Sequence, residues 1–416
     1  MIENLNRAFW RAVVCHFQQA NSKISHFIAR KLWLRPSAAN LLRLGGWNAL
    51  RIVELAREGR DYRTIENDGN GLSALLQEWP KPPEELYEEL EFPVGMWEIS
   101  DARVTLNTKF PAVAVGNHFF IHPRSEKGRL QLYPSNRADG HSPVYLQSND
   151  EVLVKRKRKI ISLPSAVYVG TRAPHNWSHW LLNFLPGVEI ADRYFGNETS
   201  PPLIVPPGYR KSESQMTLFD SIWSNREVVM CNPDVEILVD KLHWFEQPVA
   251  DSPRSLDPAN LLPKSLNASA LTRFRAKIVS LKGIDLQETD RVRNVFLARE
   301  PGRRDYNFEE IHTVASELGC EIVYPNRLSV YDQLTLMNSS RRVVGPIGSA
   351  FANILFAGPG AKALVFARPN EDNDWWAPFA AVAGVSMHAS YQAGTNSNPW
   401  ELEVAKFRTV LEEFLN

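Results

Sequence analysis

The sequence predicts an α/β fold, and two observations carry that reading. From residue 294 onward short apolar runs alternate with amphipathic stretches at a nearly even spacing, which is the pattern of a parallel sheet covered by helices. A looser copy of the same alternation occupies residues 166–230. Two α/β units side by side would enclose a cleft.

Taken in chain order, the first stretch reads as helix. Ile2, Leu5, Phe9, Val13, Phe17, Ala20, Ile24, Phe27 and Leu32 recur at helical spacing. Arg7, Arg11, Lys23, Arg30, Lys31 and Arg35 outnumber the one acid, Glu3. This basic amphipathic segment either packs on the body of the protein, or on a following helix over residues 37–57, or lies on an anionic membrane surface. The segment 92–146, rich in Val, Phe, Tyr and turn residues, reads as mostly β. A basic cluster at residues 155–159 fits a solvated edge strand and would add to membrane attraction on the same face.

The first α/β alternation then reads as a strand at 166–170, a helix at 177–185 ended by Pro186, a strand at 203–205, a helix at 212–223 and a strand at 227–230. Residues 251–263, dense in Pro, Ser and Asp, form the best linker. The second alternation has strands at 295–298, 320–324, 342–345 and 361–366. Asn307 with Glu310 starts one helix and Gly319 closes it. Ser329 with Asp332 starts the next, and the last, from Ser349, ends at Gly358-Pro359-Gly360. The chain therefore divides into a helical segment at 1–60, an N-terminal domain at 90–275 (β-rich over 92–150, α/β over 160–250) and a C-terminal α/β domain at 276–416.

Composition excludes several functions. The 416 residues carry 47 Lys+Arg and 47 Asp+Glu, so no broad basic face is available to bind nucleic acid. Cys15, Cys231 and Cys320 are few, far apart and free of metal-type spacing, which points to a reducing compartment, the cytoplasm by default. No secretory signal or membrane-spanning stretch is visible. The N-x-S/T matches at Asn176, Asn197 and Asn267 are then chance.

Two motifs carry chemistry. Residues 342–353, R-V-V-G-P-I-G-S-A-F-A-N, run from strand through two glycines into a helix start, where backbone N–H groups and the positive end of a helix dipole favour an anion such as phosphate. Close strand–helix packing is an equally sufficient reason for such glycines. Residues 174–183, P-H-N-W-S-H-W-L-L-N, follow the strand ending at Gly170. With Asn176 as N-cap, His179 falls in the first helical turn, where the dipole favours the neutral imidazole that can accept a proton. A histidine satisfied by its own capping bonds between packed tryptophans is the alternative.

The ordered series N-W-S-H-W-L-L-N-F-L-P, F-L-A-R-E-P-G-R-R-D-Y-N, S-V-Y-D-Q-L and V-V-G-P-I-G-S-A-F-A-N-I-L-F resembles glycosyltransferase family 61, whose bacterial members are often capsular polysaccharide biosynthesis proteins. The resemblance covers about residues 167–385. It implies a GT-B-like pair of Rossmann-like domains facing a cleft. The implied reaction moves a sugar from a nucleotide-sugar donor, expected to be UDP-linked, to a glycan or glycolipid hydroxyl with inversion.

The C-terminal domain would hold the donor. Gly345, Gly348, Ser349, Ala350 and Asn353 would approach the diphosphate, and Arg299, Arg303 or Arg304 would neutralise it, Arg299 first. Ion pairing with Glu300, Asp305 or Glu309 is the ordinary alternative for these arginines. His179 matches the family's N-x-x-H-W position and is the candidate base. His118, His122, Asp139, His141 and Asp305 are rivals. Asn176 and Trp180 match positions that would line the acceptor side, while capping and helix packing also account for Asn176 and Asn353.

Two departures from the family pattern stand out. Ile347-Gly348-Ser349-Ala350 replaces a common H-G-A-G, and the strand at 361–366 runs on to Arg368 without the usual acid, leaving Glu371 or Asp372 to reach a ribose. No cofactor is implied and no metal is expected, Asp372-Asn373-Asp374 reading as a solvated turn. A non-catalytic nucleotide-sugar or glycan-binding subunit of a polysaccharide assembly complex is the competing reading. A hydrolase lacks its G-x-S-x-G elbow. Sugar, linkage and oligomeric state are not encoded in any motif found.

Overall fold

A computed structural model describes residues 47–54, 62–66, 70–73, 77–78, 88–91, 94–106, 111–121, 144–147, 151–155, 157, 159–170, 175–196, 200–232, 234–249, 265–281, 283–285, 291–302, 306–368, 376–391 and 400–416. The basic segment of residues 1–35 and the linker at 251–263 lie outside the described residues.

The N-terminal part contributes strands β1 (Trp47–Glu54), β2 (Tyr62–Glu66), β3 (Asn70–Ser73), β4 (Gln77–Glu78), β5 (Glu88–Glu91), β6 (Val94–Leu106), β7 (Pro111–Val115), β8 (His118–Ile121), β9 (Val144–Gln147) and β10 (Glu151–Lys155). The first α/β unit follows: β11 (Lys159–Val169), α1 (Trp177–His179), a π turn (Trp180–Phe184), α2 (Leu185–Phe195), β12 (Leu203–Val205), α3 (Glu213–Ile222), β13 (Val228–Met230) and β14 (Val235–Phe245). After β15 (Ser265–Asn267) and α4 (Ala268–Ser280) comes the second unit: β16 (Arg293–Leu297), α5 (Phe308–Glu317), β17 (Glu321–Val323), α6 (Val330–Ser339), β18 (Ser340–Pro346), a 3-10 helix (Ser349–Phe356), β19 (Lys362–Ala367), α7 (Ala377–Val382), β20 (Ser386–Tyr391) and α8 (Val404–Leu415).

The larger sheet runs β13-β12-β11-β14-β6-β7-β8-β1-β10-β9, with β2 also on β6. Strands β11 to β14 are parallel, and β14 meets β6 antiparallel, so the α/β unit is welded edge to edge onto the β-rich part. The second sheet runs β17-β16-β18-β19-β20-β4, all parallel. Its buried strand β19 is a near-continuous apolar run, as a strand covered on both faces must be. A third sheet, β15-β3-β5, is small.

Two expectations need correction. Residues 47–54, expected in a helix, form β1, which pairs with β10 antiparallel and β8 parallel and buries Leu50. The run W-N-A-L-R-I-V-E fits either period over so short a length, and pairing with two neighbours decides it. The helix expected to stop at Pro186 continues to Phe195. A π turn, in which the Leu185 N–H bonds the Trp180 carbonyl, hands over to a fresh α register, and Pro186 falls at the opening of α2, where a missing N–H is tolerated. The next residue, Gly187, is needed for space: a Cβ there would lie 2.5 Å from Val169 Cγ1.

The apolar faces of the two α/β units meet in one core. Val167, Val169, Trp180, Leu185 and Val188 of the first belong to the same buried cluster as Leu297, Val343, Phe351, Ile354 and Leu355 of the second. Helix α4 packs on α2, α7 and the 3-10 helix, and ties the units together. Lys277 of α4 bonds Asp192 of α2 at 3.0 Å, and Asp192 also holds Arg226 at 2.9 Å.

Candidate functional site

The second sheet places strands in the order second, first, third, fourth, fifth along the chain, so the direction of winding reverses between β16 and β18. Ligands in such sheets bind in the crevice beyond the carboxyl ends of the strands flanking that reversal. Arg299 lies two residues past β16, and Gly348 two residues past β18. Both candidates therefore sit at the switch point.

Their contact is close. A Cβ built on Gly348 would lie 2.4 Å from Arg299 Nη2 and 3.0 Å from its Cζ and Nε, so the guanidinium rests directly on the glycine backbone. Gly348 has φ 178° and ψ 175°, an extended geometry open to any residue. The position is glycine for space, not for strain. Arg299 Nη2 also points at the Pro346 carbonyl, 3.5 Å away. Glu300, the expected competitor for these arginines, pairs instead with Arg327 at 2.5 Å, and Arg327 lies 4.2 Å above the Tyr324 ring.

The segment from Ser349, expected as an α-helix, is a 3-10 helix. Its first bond runs from the Phe351 N–H to the Gly348 carbonyl at 3.0 Å, so the N–H groups of Ser349 and Ala350 precede the ladder. Gly345 has a different reason to be glycine: a Cβ there would lie 2.8 Å from the Leu297 carbonyl, a clash with the neighbouring strand. Of the two glycines in the motif, one serves strand packing and one serves the arginine.

The histidine motif arrives from the other sheet. Strand β11 has β12 on one side and β14 on the other, so the winding reverses here too, and α1 begins just past its carboxyl end. Asn176 caps α1 as expected, its Oδ1 accepting from the Ser178 N–H at 3.0 Å and the Ser178 hydroxyl at 2.8 Å. His179 is half-buried in the turn that follows, with Nδ1 turned inward.

The two motifs meet through Asn353. Its Oδ1 accepts from Trp177 Nε1 at 2.9 Å, and its Nδ2 donates to Gln333 Oε1 at 2.9 Å. Asn353 is 2% exposed, and both ends of its amide are engaged, so it is a strut between the units. Trp180, a candidate for the acceptor side, lies in the core. It is fully buried, stacks on Trp177 at 5.6 Å, and donates Nε1–H to the Tyr209 carbonyl at 2.7 Å.

The remaining candidates separate. His118 is exposed on β8, four strand spacings from β11 across the sheet, roughly 19 Å away at ~4.8 Å per strand. Arg303, Arg304, Asp305, His122, Asp139, His141, Glu371 and Asp372 to Asp374 lie outside the described residues. Among the described residues no cluster of three or more His, Cys, Asp or Glu could hold a metal ion, and no helix is long and apolar enough to cross a membrane.

Sequence reasoning missed Tyr306, His312 and Gln333. Tyr306 Oη lies 2.7 Å from His312 Nε2. Burial pushes the Tyr306 phenol well above its usual range, and burial lowers the His312 imidazole. Tyr306 and Gln333 both fall inside the quoted motifs, which was the signal available.

Fold and site thus define a parallel-sheet α/β protein with a crevice at the β16–β18 switch point, lined by an arginine on a glycine turn. Residues 177–364 match the model of the family described as Glycosyltransferase 61. That span is similar to glycosyltransferase family 61, and the match supports a glycosyltransferase. A search of curated proteins returned no match to the chain.

Proposed function

We propose that this glycosyltransferase binds a nucleotide-sugar donor at the β16–β18 switch point and transfers the sugar, with inversion, to a glycan hydroxyl in surface or capsular polysaccharide synthesis. The observation that carries the reading is the Arg299 guanidinium lying on Gly348 beside the opening of the 3-10 helix. A diphosphate placed there meets a fork of N–H donors and the first N–H groups of a helix, the pairing that recognises phosphate oxygens. As the glycosidic bond breaks, negative charge grows on that diphosphate, so the same groups stabilise the leaving nucleotide.

Inversion also needs a base on the opposite face of the sugar. His179 is the proposed base: its turn packs against the 3-10 helix, and the Trp177–Asn353 bond fixes it there. A GT-B-like division into donor and acceptor units is part of this proposal, and the two switch points are its support. A cytoplasmic location, with residues 1–35 on the anionic inner face of the membrane, completes the proposal.

The test is thermal unfolding with a panel of nucleoside diphosphates, on wild type and Arg299→Ala. A ligand at about a hundred times its Kd adds roughly 2.7 kcal/mol. A shift with one diphosphate, lost in the variant, supports the donor site. No shift with any of them would move the assignment to a non-catalytic, glycan-binding role.

A further inference from the structure

We propose that Arg275 and Arg291, meeting on the turn at residues 357–359, form a second anion site that takes a phosphate group, separate from the donor crevice. The turn joins the 3-10 helix to β19. It lies before β19, as Arg291 lies before β16 and Asn338 before the start of β18, so the site is at the amino ends of these strands. The five residues of β16 separate it from the carboxyl ends by roughly 16 Å at ~3.3 Å per residue.

Arg275 lies on the face that α4 buries, with Leu271, Phe274, Ile278 and Val279. It is 7% exposed. Its Nη2 donates to the Ala357 carbonyl at 2.5 Å, the one acceptor it has among the described residues, and its buried Nε has none. Burial, and then the neighbouring Arg291 charge, lower the guanidinium to about 10, so it stays protonated at neutral pH. No carboxylate is supplied by the segments in contact, since neither α4 nor residues 349–367 contains an Asp or a Glu. A buried charge without a counter-charge is costly, and one carbonyl does not offset it.

Arg291 brings a second charge to the same turn. Its Nη1 donates to the Pro359 carbonyl at 2.5 Å and its Nε to the Asn338 carbonyl at 3.0 Å. Its guanidinium covers Gly358, where any Cβ would collide with Nε and Cζ. Gly358 therefore makes room for Arg291 as Gly348 does for Arg299. Pro359 and Gly360 are exposed and Arg291 is half-buried, so the turn opens to solvent. Two guanidiniums bracket three residues of main chain. A carboxylate is filled by one such fork, whereas a phosphate has oxygens and charge for both. Its source is either a free phosphate compound or the headgroup of a phospholipid.

The experiment records the melting temperature of the full chain in inorganic phosphate and in sodium chloride of equal ionic strength. Wild type should gain roughly 3 °C or more as phosphate passes a hundred times its Kd, and chloride should not match it. Arg275→Met, which keeps an apolar stem and removes the charge, should lose the gain and melt no lower than wild type without phosphate. Arg291→Gln should reduce the gain. Arg299→Ala should keep it, since that variant removes only the donor crevice's arginine. Sedimentation with phosphatidylglycerol against phosphatidylcholine vesicles then separates the sources: binding to the former that Arg275→Met weakens assigns the site to a headgroup, and equal binding by both proteins assigns it to a free phosphate compound.

No phosphate gain in wild type, or a gain that Arg275→Met retains, overturns the site. A gain lost in Arg299→Ala and kept in Arg275→Met also overturns it, by placing the phosphate in the donor crevice. Melting of Arg275→Met below wild type in both buffers, with wild type indifferent to phosphate, would show a guanidinium that serves the Ala357 carbonyl alone. If Arg275→Met fails to fold, Arg291→Gln decides, and an unreduced gain there removes the proposal.

Discussion

Gly348→Ala isolates the arginine-on-glycine contact with the smallest possible change. The added methyl would lie 2.4 Å from Arg299 Nη2, whereas ordinary contact begins at about 3.4 Å, so the terminal nitrogen must retreat by about 1 Å. The clash is with the tip of a flexible side chain, and φ 178° suits alanine, so stability should change by less than about 1 kcal/mol. A charge-assisted bond to phosphate is worth about 1.5–3 kcal/mol. Its loss predicts a drop in nucleoside diphosphate affinity of roughly 10- to 150-fold. Calorimetric titration beside a urea denaturation curve reads both quantities. Wild-type affinity in a folded Gly348→Ala protein would refute the assignment of Arg299 to the diphosphate.

Four further predictions follow from the same geometry. Gly345→Ala should fail in the opposite way, because its methyl meets the Leu297 carbonyl at 2.8 Å; urea denaturation should show a loss of about 1–3 kcal/mol, and an unchanged midpoint would contradict the packing argument. Asn353→Leu strands both Trp177 Nε1 and Gln333 Oε1 in the core and should cost about 2–4 kcal/mol in the same assay; a neutral result would deny the strut. His179→Ala should lower kcat by about 10²- to 10⁴-fold while nucleotide affinity stays within about threefold, and retained turnover would remove it as the base. Burial lowers the His243, His312 and His388 imidazoles, so in the fold they resist protons that the unfolded chain accepts below about pH 6.5. Their contribution is fully present above that value and is lost as pH falls through it toward the lowered folded values; urea midpoints that are equal at pH 7.5 and 5.5 would contradict this.

The second α/β unit was legible because short apolar runs, such as residues 295–298 and 363–366, alternate with helical stretches. The pairing order was not legible, yet it is the order that puts Arg299 and Gly348 on the same crevice. Asn176 announced its capping role locally. Asn353 and Trp180 did not, since whether an amide or an indole faces a ligand or a neighbour depends on residues 176 and 29 positions away. Residues 47–54 misled because eight residues fit two periods, and only β8 and β10 decide between them. Tyr306 was visible as a letter in a motif, but its bond to His312 is a contact that no spacing rule contains.

The central claim is that the donor diphosphate sits on the Gly348 turn. Hydrogen exchange of backbone amides, with and without the nucleoside diphosphate that stabilises the protein, tests it most directly. Protection concentrated at Ser349 and Ala350, and in the stretch just past β16, is the predicted result. Protection confined to other strands, with those two amides exchanging as before, would contradict it.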